Sequence, residues 1–148
     1  MDTFLAQLES LCSGNQSNIS MLSNAAALLN EYLNDINWVG FYLAEKDGLI
    51  LGPFQGKVAC TYIPYGKGVC GTSYIKKMLL NVANVHTFPG HIACDSASNS
   101  ELVIPLIYNS RVFGVLDIDS TKYSRFTYRD EIILQQAADI IAKSIKTN

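Results

Sequence analysis

The chain has 148 residues, 49% of them hydrophobic and 16% charged, with 11 basic against 13 acidic side chains and a formal net charge of −2. This length and hydrophobicity suit one folded domain spanning 1–148, exclude intrinsic disorder, and allow a core that needs neither disulfide staples nor a structural metal. The mild acidity without any Lys/Arg cluster excludes the electrostatic footprint of nucleic-acid binding, and the low charged fraction points to surface covered by a partner, for which a homodimer is expected.

The opening MDTFLAQLES carries Asp2 and Glu9 where a secretory leader would have a basic start and an apolar stretch, so no leader is expected. A short helix is expected over Phe4 to Leu11, ended by Ser13-Gly14-Asn15. Between Ser17 and Asn34 the apolar positions Met21, Leu22, Ala25, Ala26, Leu28, Leu29, Tyr32 and Leu33 follow the 3, 4 spacing of a buried stripe, which predicts a second helix capped by Asn18 or Ser20. From Trp38 the pattern turns aromatic and β-branched. Strands are expected near 37–45 and 49–54, joined at Lys46-Asp47-Gly48, where Asp-Gly supplies the positive-φ residues of a tight hairpin.

The Gly-punctuated stretch Gly66 to Gly71 reads as a loop leading into a short helix over about Thr72 to Met78, followed by a strand around Leu80 to Ala83. Residues 86–100 carry no period and are dense in turn formers, His, Cys and Asp, the composition of a functional loop. Leu102 to Tyr108 and Val112 to Ile118 predict a hairpin over Asn109-Ser110. A closing helix of about 127–146 follows, capped by Thr127 with Asp130 at its third position. The fold class is α+β: a central, mostly antiparallel sheet with the N- and C-terminal helices packed on one face. The longest apolar run, Leu102 to Tyr108, contains Pro105 and falls far short of the roughly 20 residues that span a bilayer. The protein is read as soluble and cytoplasmic, with no membrane partner.

In a reducing compartment, Cys12, Cys60, Cys70 and Cys94 are core residues, metal ligands or redox-active thiols rather than structural bridges. Cys12 lies on a helical segment and is read as core. A zinc site from Cys60, Cys70 and Cys94 with His86 or His91 is chemically feasible, yet the spacings match no usual ligand ladder. Asp117 and Asp119, two apart on a strand, point to one face while Leu116 and Ile118 point to the other. Two such carboxylates belong either to a solvated sheet edge or to a pocket that wants a cation or a proton donor. Trp38 and Tyr42 share a face with Gly40, as core aromatics or as the walls of an apolar slot.

Asn37-Trp38-Val39-Gly40-Phe41-Tyr42, Leu51-Gly52-Pro53-Phe54-Gln55-Gly56, Gly68-Val69-Cys70-Gly71, the stretch FPGHIACDSASNSE from Phe88 to Glu101, and VLDIDS from Val115 to Ser120 together resemble the free methionine-(R)-sulfoxide reductases, single-domain enzymes of the GAF fold. The resemblance implies that Cys94 is the nucleophile, Cys60 the main resolving thiol and Cys70 a second one. It implies acidic site residues at Glu101, Asp117 and Asp119, and a pocket for the methyl-sulfoxide end shaped by Trp38 and Tyr42. Cys12 has no counterpart in that pattern.

Such chemistry needs a thiolate at sulfur and protons on the departing oxygen. His91, three residues before Cys94, is a candidate for favouring the thiolate, or else for ordering its loop. Glu101 and Asp119 are expected to act at the sulfoxide oxygen, and Asp117 to hold the substrate's α-ammonium, which a methionine inside a peptide lacks. The Cys94 sulfenic acid would condense with Cys60, and thioredoxin, itself supplied by NADPH, would reduce the disulfide; no cofactor or metal is expected. Because disulfide geometry brings Cα atoms within about 7 Å, the segment 86–100 is expected to move. The alternative is a non-catalytic GAF domain that senses a small ligand.

Overall fold

The stripe of the first third folds as two helices, α1 (Thr3–Cys12) and α2 (Asn18–Tyr32), in a computed structural model that describes residues 2–92, 94 and 96–147. Asp2 caps α1, accepting from the Phe4 N–H. Ser17, not Asn18 or Ser20, caps α2 by accepting from the Ser20 N–H. Asn18 instead exchanges two hydrogen bonds with the Lys146 backbone and ties the start of α2 to the far end of the chain.

Six strands follow: β1 (Trp38–Ala44), β2 (Gly48–Gly56), β3 (Tyr62–Pro64), β4 (Leu80–Val82), β5 (Ser100–Tyr108) and β6 (Arg111–Ser120). Helix α3 (Gly68–Lys76) lies between β3 and β4, and α4 (Tyr128–Ser144) closes the fold. The strands form one antiparallel sheet in the order β3-β2-β1-β6-β5-β4. That order puts β1 and β6 at the centre, so the Asp117/Asp119 strand is no sheet edge. Thr127 and Asp130 form the expected reciprocal cap on α4.

Three local expectations are corrected. Asp47-Gly48 does not use positive φ; the left-handed pair is Asn109 (φ 50) and Ser110 (φ 65), in the β5–β6 turn. Gly48 is required for a different reason, since a Cβ there would stand 2.7 Å from the Ile63 carbonyl oxygen. The helix expected from Thr72 begins at Gly68 and so takes in Cys70. Gly71 signals a loop by composition, yet it sits inside the helix because a Cβ would lie 2.6 Å from the Pro64 oxygen. Strand β3, three residues long, carries too few residues to show a period.

Alternation along β1, β5 and β6 separates two cores. Val39, Phe41, Leu102, Ile104, Leu116 and Ile118 face α1, α2 and α4 and pack with Leu8, Leu22, Leu29, Leu134 and Ile141. Burying each such side chain contributes about 1.5–3 kcal/mol, so this layer carries the larger part of the stability. Trp38, Tyr42, Val103 and Val115 face the opposite way and pack with Leu49, Ile63 and the α3 residues Val69 and Cys70. The terminal helices thus share one face as expected, while α3 covers part of the other. No described helix is long and apolar enough to cross a membrane.

Candidate active site

The chemistry-bearing residues gather on the α3 side of the sheet. Glu101 on β5 pairs directly with Asp119 on β6, and Val103 with Asp117, so three carboxyls occupy one small area. Asp117 is only 5% exposed and Glu101 8%, which rules out the solvated-edge reading. From α3 the Cys70 thiol donates to Glu101 Oε2 at 3.8 Å. Donor atoms of Cys70, Glu101 and Asp117 all lie within 4.8 Å of one another, close enough for one cation to bridge.

Burial raises Glu101 well above the usual carboxylate range, and the charges of Asp117 and Asp119 push the same way. Asp117 is also raised by burial, but hydrogen bonds from Glu101, Cys70 and Asp119 oppose the shift. The two directions describe one arrangement: Glu101 keeps a proton and donates it toward a more acidic Asp117. Cys70 is pushed up by burial and by the same carboxyls, so it stays a thiol. Asp117 Oδ1 is buried with no hydrogen-bond partner among the described residues. A buried acceptor in that state is open to a cationic or N–H ligand.

Beside the carboxyls stands an aromatic wall. Trp38 stacks on Phe54 with ring centroids 5.1 Å apart and on Tyr42 at 5.8 Å. Gly40, between them on β1, leaves room for Phe54, whose Cβ would be 2.3 Å from any Cβ at position 40. The polar tips of both aromatics reach the chain that follows β2: Trp38 Nε1–H donates to the Lys57 carbonyl at 3.1 Å and the Tyr42 hydroxyl to the Cys60 carbonyl at 2.9 Å. Neither bond could be read from side-chain pattern, because both acceptors are backbone atoms.

Cys60 and Cys94 are joined in a disulfide across 34 residues of chain, with Cα atoms 5.4 Å apart. Cys70 and Cys12 are free thiols. Cys12 is packed in the opposite core, as expected, where burial pushes its thiol to about 11. With Cys60 and Cys94 bonded to each other, the three-cysteine zinc set is not assembled. Trp38, Tyr42, Cys70, Glu101, Asp117 and Asp119 line one cleft, and Cys94 lines it as well.

His91 also lines the cleft, but burial and the neighbouring His86 lower its pKa, which weakens it as a source of positive charge. His86 bonds Asn99 Oδ1 at 2.8 Å, and Asn99 in turn donates to the Thr121 carbonyl, which anchors the loop to the end of β6. Lys67, Ile92 and Ser98 also line the cleft and were not singled out from the sequence. Ser98 accepts from Asn37 Nδ2 at 3.0 Å. Its position inside the FPGHIACDSASNSE stretch was the available signal.

Residues 18–145 match the GAF domain family. The free methionine-R-sulfoxide reductase of Escherichia coli (strain K12) is 53% identical over 137 residues, covering 93% of this chain and 83% of that protein. The structure of fRMsr of Staphylococcus aureus in its reduced form superposes with a TM-score of 0.92 at 48% identity, over 97% of this chain and 93% of that one. The free methionine-R-sulfoxide reductase from Neisseria meningitidis, solved in complex with its substrate, gives a TM-score of 0.91 at 43% identity, over 95% and 85% of the two chains. The chain belongs to the GAF domain family and, within it, to the free methionine-R-sulfoxide reductases.

Proposed function

We infer that this chain reduces free methionine-R-sulfoxide to methionine, with Cys94 as the nucleophile and Cys60 as the thiol that resolves it. The observation that carries this reading is the Cys60–Cys94 disulfide at a cleft floored by buried carboxyls. The Cys94 thiolate attacks the sulfoxide sulfur while protons reach its oxygen. The hydroxyl then passes from the substrate sulfur to the Cys94 sulfur as the new S–S bond breaks with its electron pair going to the substrate sulfur, so methionine departs and Cys94 is left as a sulfenic acid. The Cys60 thiolate then attacks the Cys94 sulfur, expelling the oxygen as water and leaving the disulfide. Two electrons have passed from two thiols to the sulfoxide, and an external dithiol must return them.

Glu101, kept protonated by burial, and Asp119 supply protons at the sulfoxide oxygen. Asp117, with its unpartnered Oδ1, receives the α-ammonium of a free amino acid. A peptide-bound residue has no such group and would leave this oxygen desolvated, at a cost of about 1–3 kcal/mol. Trp38 and Tyr42 wall the methyl-sulfoxide end, and Cys70 is the second thiol within reach of the cycle. Thioredoxin, recharged by NADPH, is the reductant; the chemistry draws on no bound cofactor or metal. The protein works in the cytoplasm as a homodimer.

The test is thioredoxin-coupled NADPH oxidation with free L-methionine-(R)-sulfoxide, the (S) epimer and a peptide-bound (R) substrate, on wild type and Cys94→Ser. Turnover confined to the free (R) form and absent from the variant supports the assignment. No turnover by fully reduced wild type overturns it in favour of a ligand-sensing domain.

A further inference from the structure

Residues 57–61, which carry Cys60, leave the sheet at Gly56 and rejoin it at Tyr62. They belong to no strand or helix, and Val58 is 89% exposed. Among the described residues, three hydrogen bonds hold this segment's backbone carbonyls: Leu51 N–H on Thr61, Trp38 Nε1–H on Lys57 and the Tyr42 hydroxyl on Cys60. The last two come from buried rings fixed on β1, one of the two central strands of the sheet. At the turn, Gly56 (φ +140) lets the chain pass over the indole, where a Cβ would stand 2.5 Å from Trp38 Cδ1.

We propose that Tyr42, with Trp38 in support, is a positioning residue for the resolving thiol: its hydroxyl, bonded to the carbonyl of Cys60, holds that thiol where it can reach Cys94. The proposal rests on the reading of Cys60 as the resolving thiol and extends it. Disulfide formation requires two Cα atoms within about 7 Å and a narrow approach direction. A segment held by so few bonds samples positions that miss it once an anchor is lost, and each lost anchor dilutes the productive one. The hydroxyl acts on the second half-reaction, whereas the ring walls the cleft used in the first. One side chain thereby serves both halves through different atoms.

Tyr42→Phe keeps the ring and deletes only the hydroxyl. The reduced protein is treated with hydrogen peroxide, which oxidises the Cys94 thiolate to the sulfenic acid and releases hydroxide, without any need for sulfoxide turnover. The Cys60 thiolate then closes the disulfide as a second hydroxide leaves. In Tyr42→Phe that closure should slow about fivefold, the rate equivalent of one hydrogen bond, and dimedone should trap correspondingly more sulfenic acid. Trp38→Phe, which removes the donor to Lys57 three residues upstream, should slow closure less, and it decides the matter if Tyr42→Phe does not fold. Tyr65→Phe removes another tyrosine hydroxyl bonded to a backbone carbonyl, that of Glu45, and should leave the rate at the wild-type value.

Closure at the wild-type rate in folded Tyr42→Phe, or equal slowing in Tyr65→Phe, overturns the proposal. Because peroxide bypasses the sulfoxide, failure of the reductase reading shows separately, as absence of methionine release by wild type in the coupled assay.

Discussion

Glu101 and Asp119 stand directly opposite each other on adjacent antiparallel strands, facing the interior of the cleft. Like charges in that register repel, so the pair is stable only while a proton is shared across the carboxyl cluster. In the proposed reaction that proton is the one the sulfoxide oxygen takes up. Glu101→Gln and Asp119→Asn should each lower kcat of free methionine-sulfoxide reduction by roughly a hundredfold, the usual loss for a positioned acid. Intact turnover in both variants would remove the carboxyls from the proton-transfer step.

The same proton sets a pH dependence of stability. Glu101 has an ordinary value of 4.5, and burial raises it in the folded state. A folded group with a raised pKa binds more protons than the unfolded chain, so its contribution is fully present below about 4.5 and is lost as pH rises through the folded value. Asp117 is raised as well and acts with the same sign. The Tm of the substrate-free protein should therefore fall as pH climbs from 5 toward neutrality. Glu101→Gln should flatten that slope and raise Tm at pH 7.

The cysteines separate by kinetics. Cys94→Ser should release no methionine. Cys60→Ser should release about one methionine per protein quickly and then slow sharply, because the sulfenic acid has lost its partner. Cys70→Ser should keep most of the steady rate: its thiol is bonded to Glu101 and held as a thiol by burial, not paired with Cys94. Quenched-flow quantification of methionine resolves the three, and unchanged steady turnover in Cys60→Ser would transfer the resolving role to Cys70.

Gly114, inside β6, has φ +151, and a Cβ there would sit 2.1 Å from the Tyr42 backbone carbonyl oxygen. Relief would have to come from backbone at the β1–β6 seam. Gly114→Ala should cost about 3 kcal/mol in denaturant unfolding and disturb the cleft wall at Tyr42 as well.

The residues whose roles were legible in sequence are those governed by local rules. Period two along β6 assigned Leu116 and Ile118 to one face and Asp117 and Asp119 to the other, and the Thr127–Asp130 cap could be read from spacing. What stayed hidden depends on distant backbone. The start of α3 was masked because glycine at 68 and 71 reads as a breaker, while Gly68 serves a left-handed φ of +63 and Gly71 the approach of residues 64–66. Cys70 joined the carboxyls only when that helix packed across the sheet. The indole and hydroxyl of Trp38 and Tyr42 bond to carbonyls, which no side-chain pattern announces.

Neither half of the Cys60–Cys94 bridge lies in a strand or helix. The bond proposed to be made and broken in turnover thus lies outside the ladder: neither cysteine takes part in a β1–β6 or β5–β6 pairing. Amide exchange across the central strands should be the same in the oxidised and reduced protein, with differences confined to the chain around the two sulfurs. A scaffold arranged in this way can be oxidised and reduced repeatedly without mechanical load on its core.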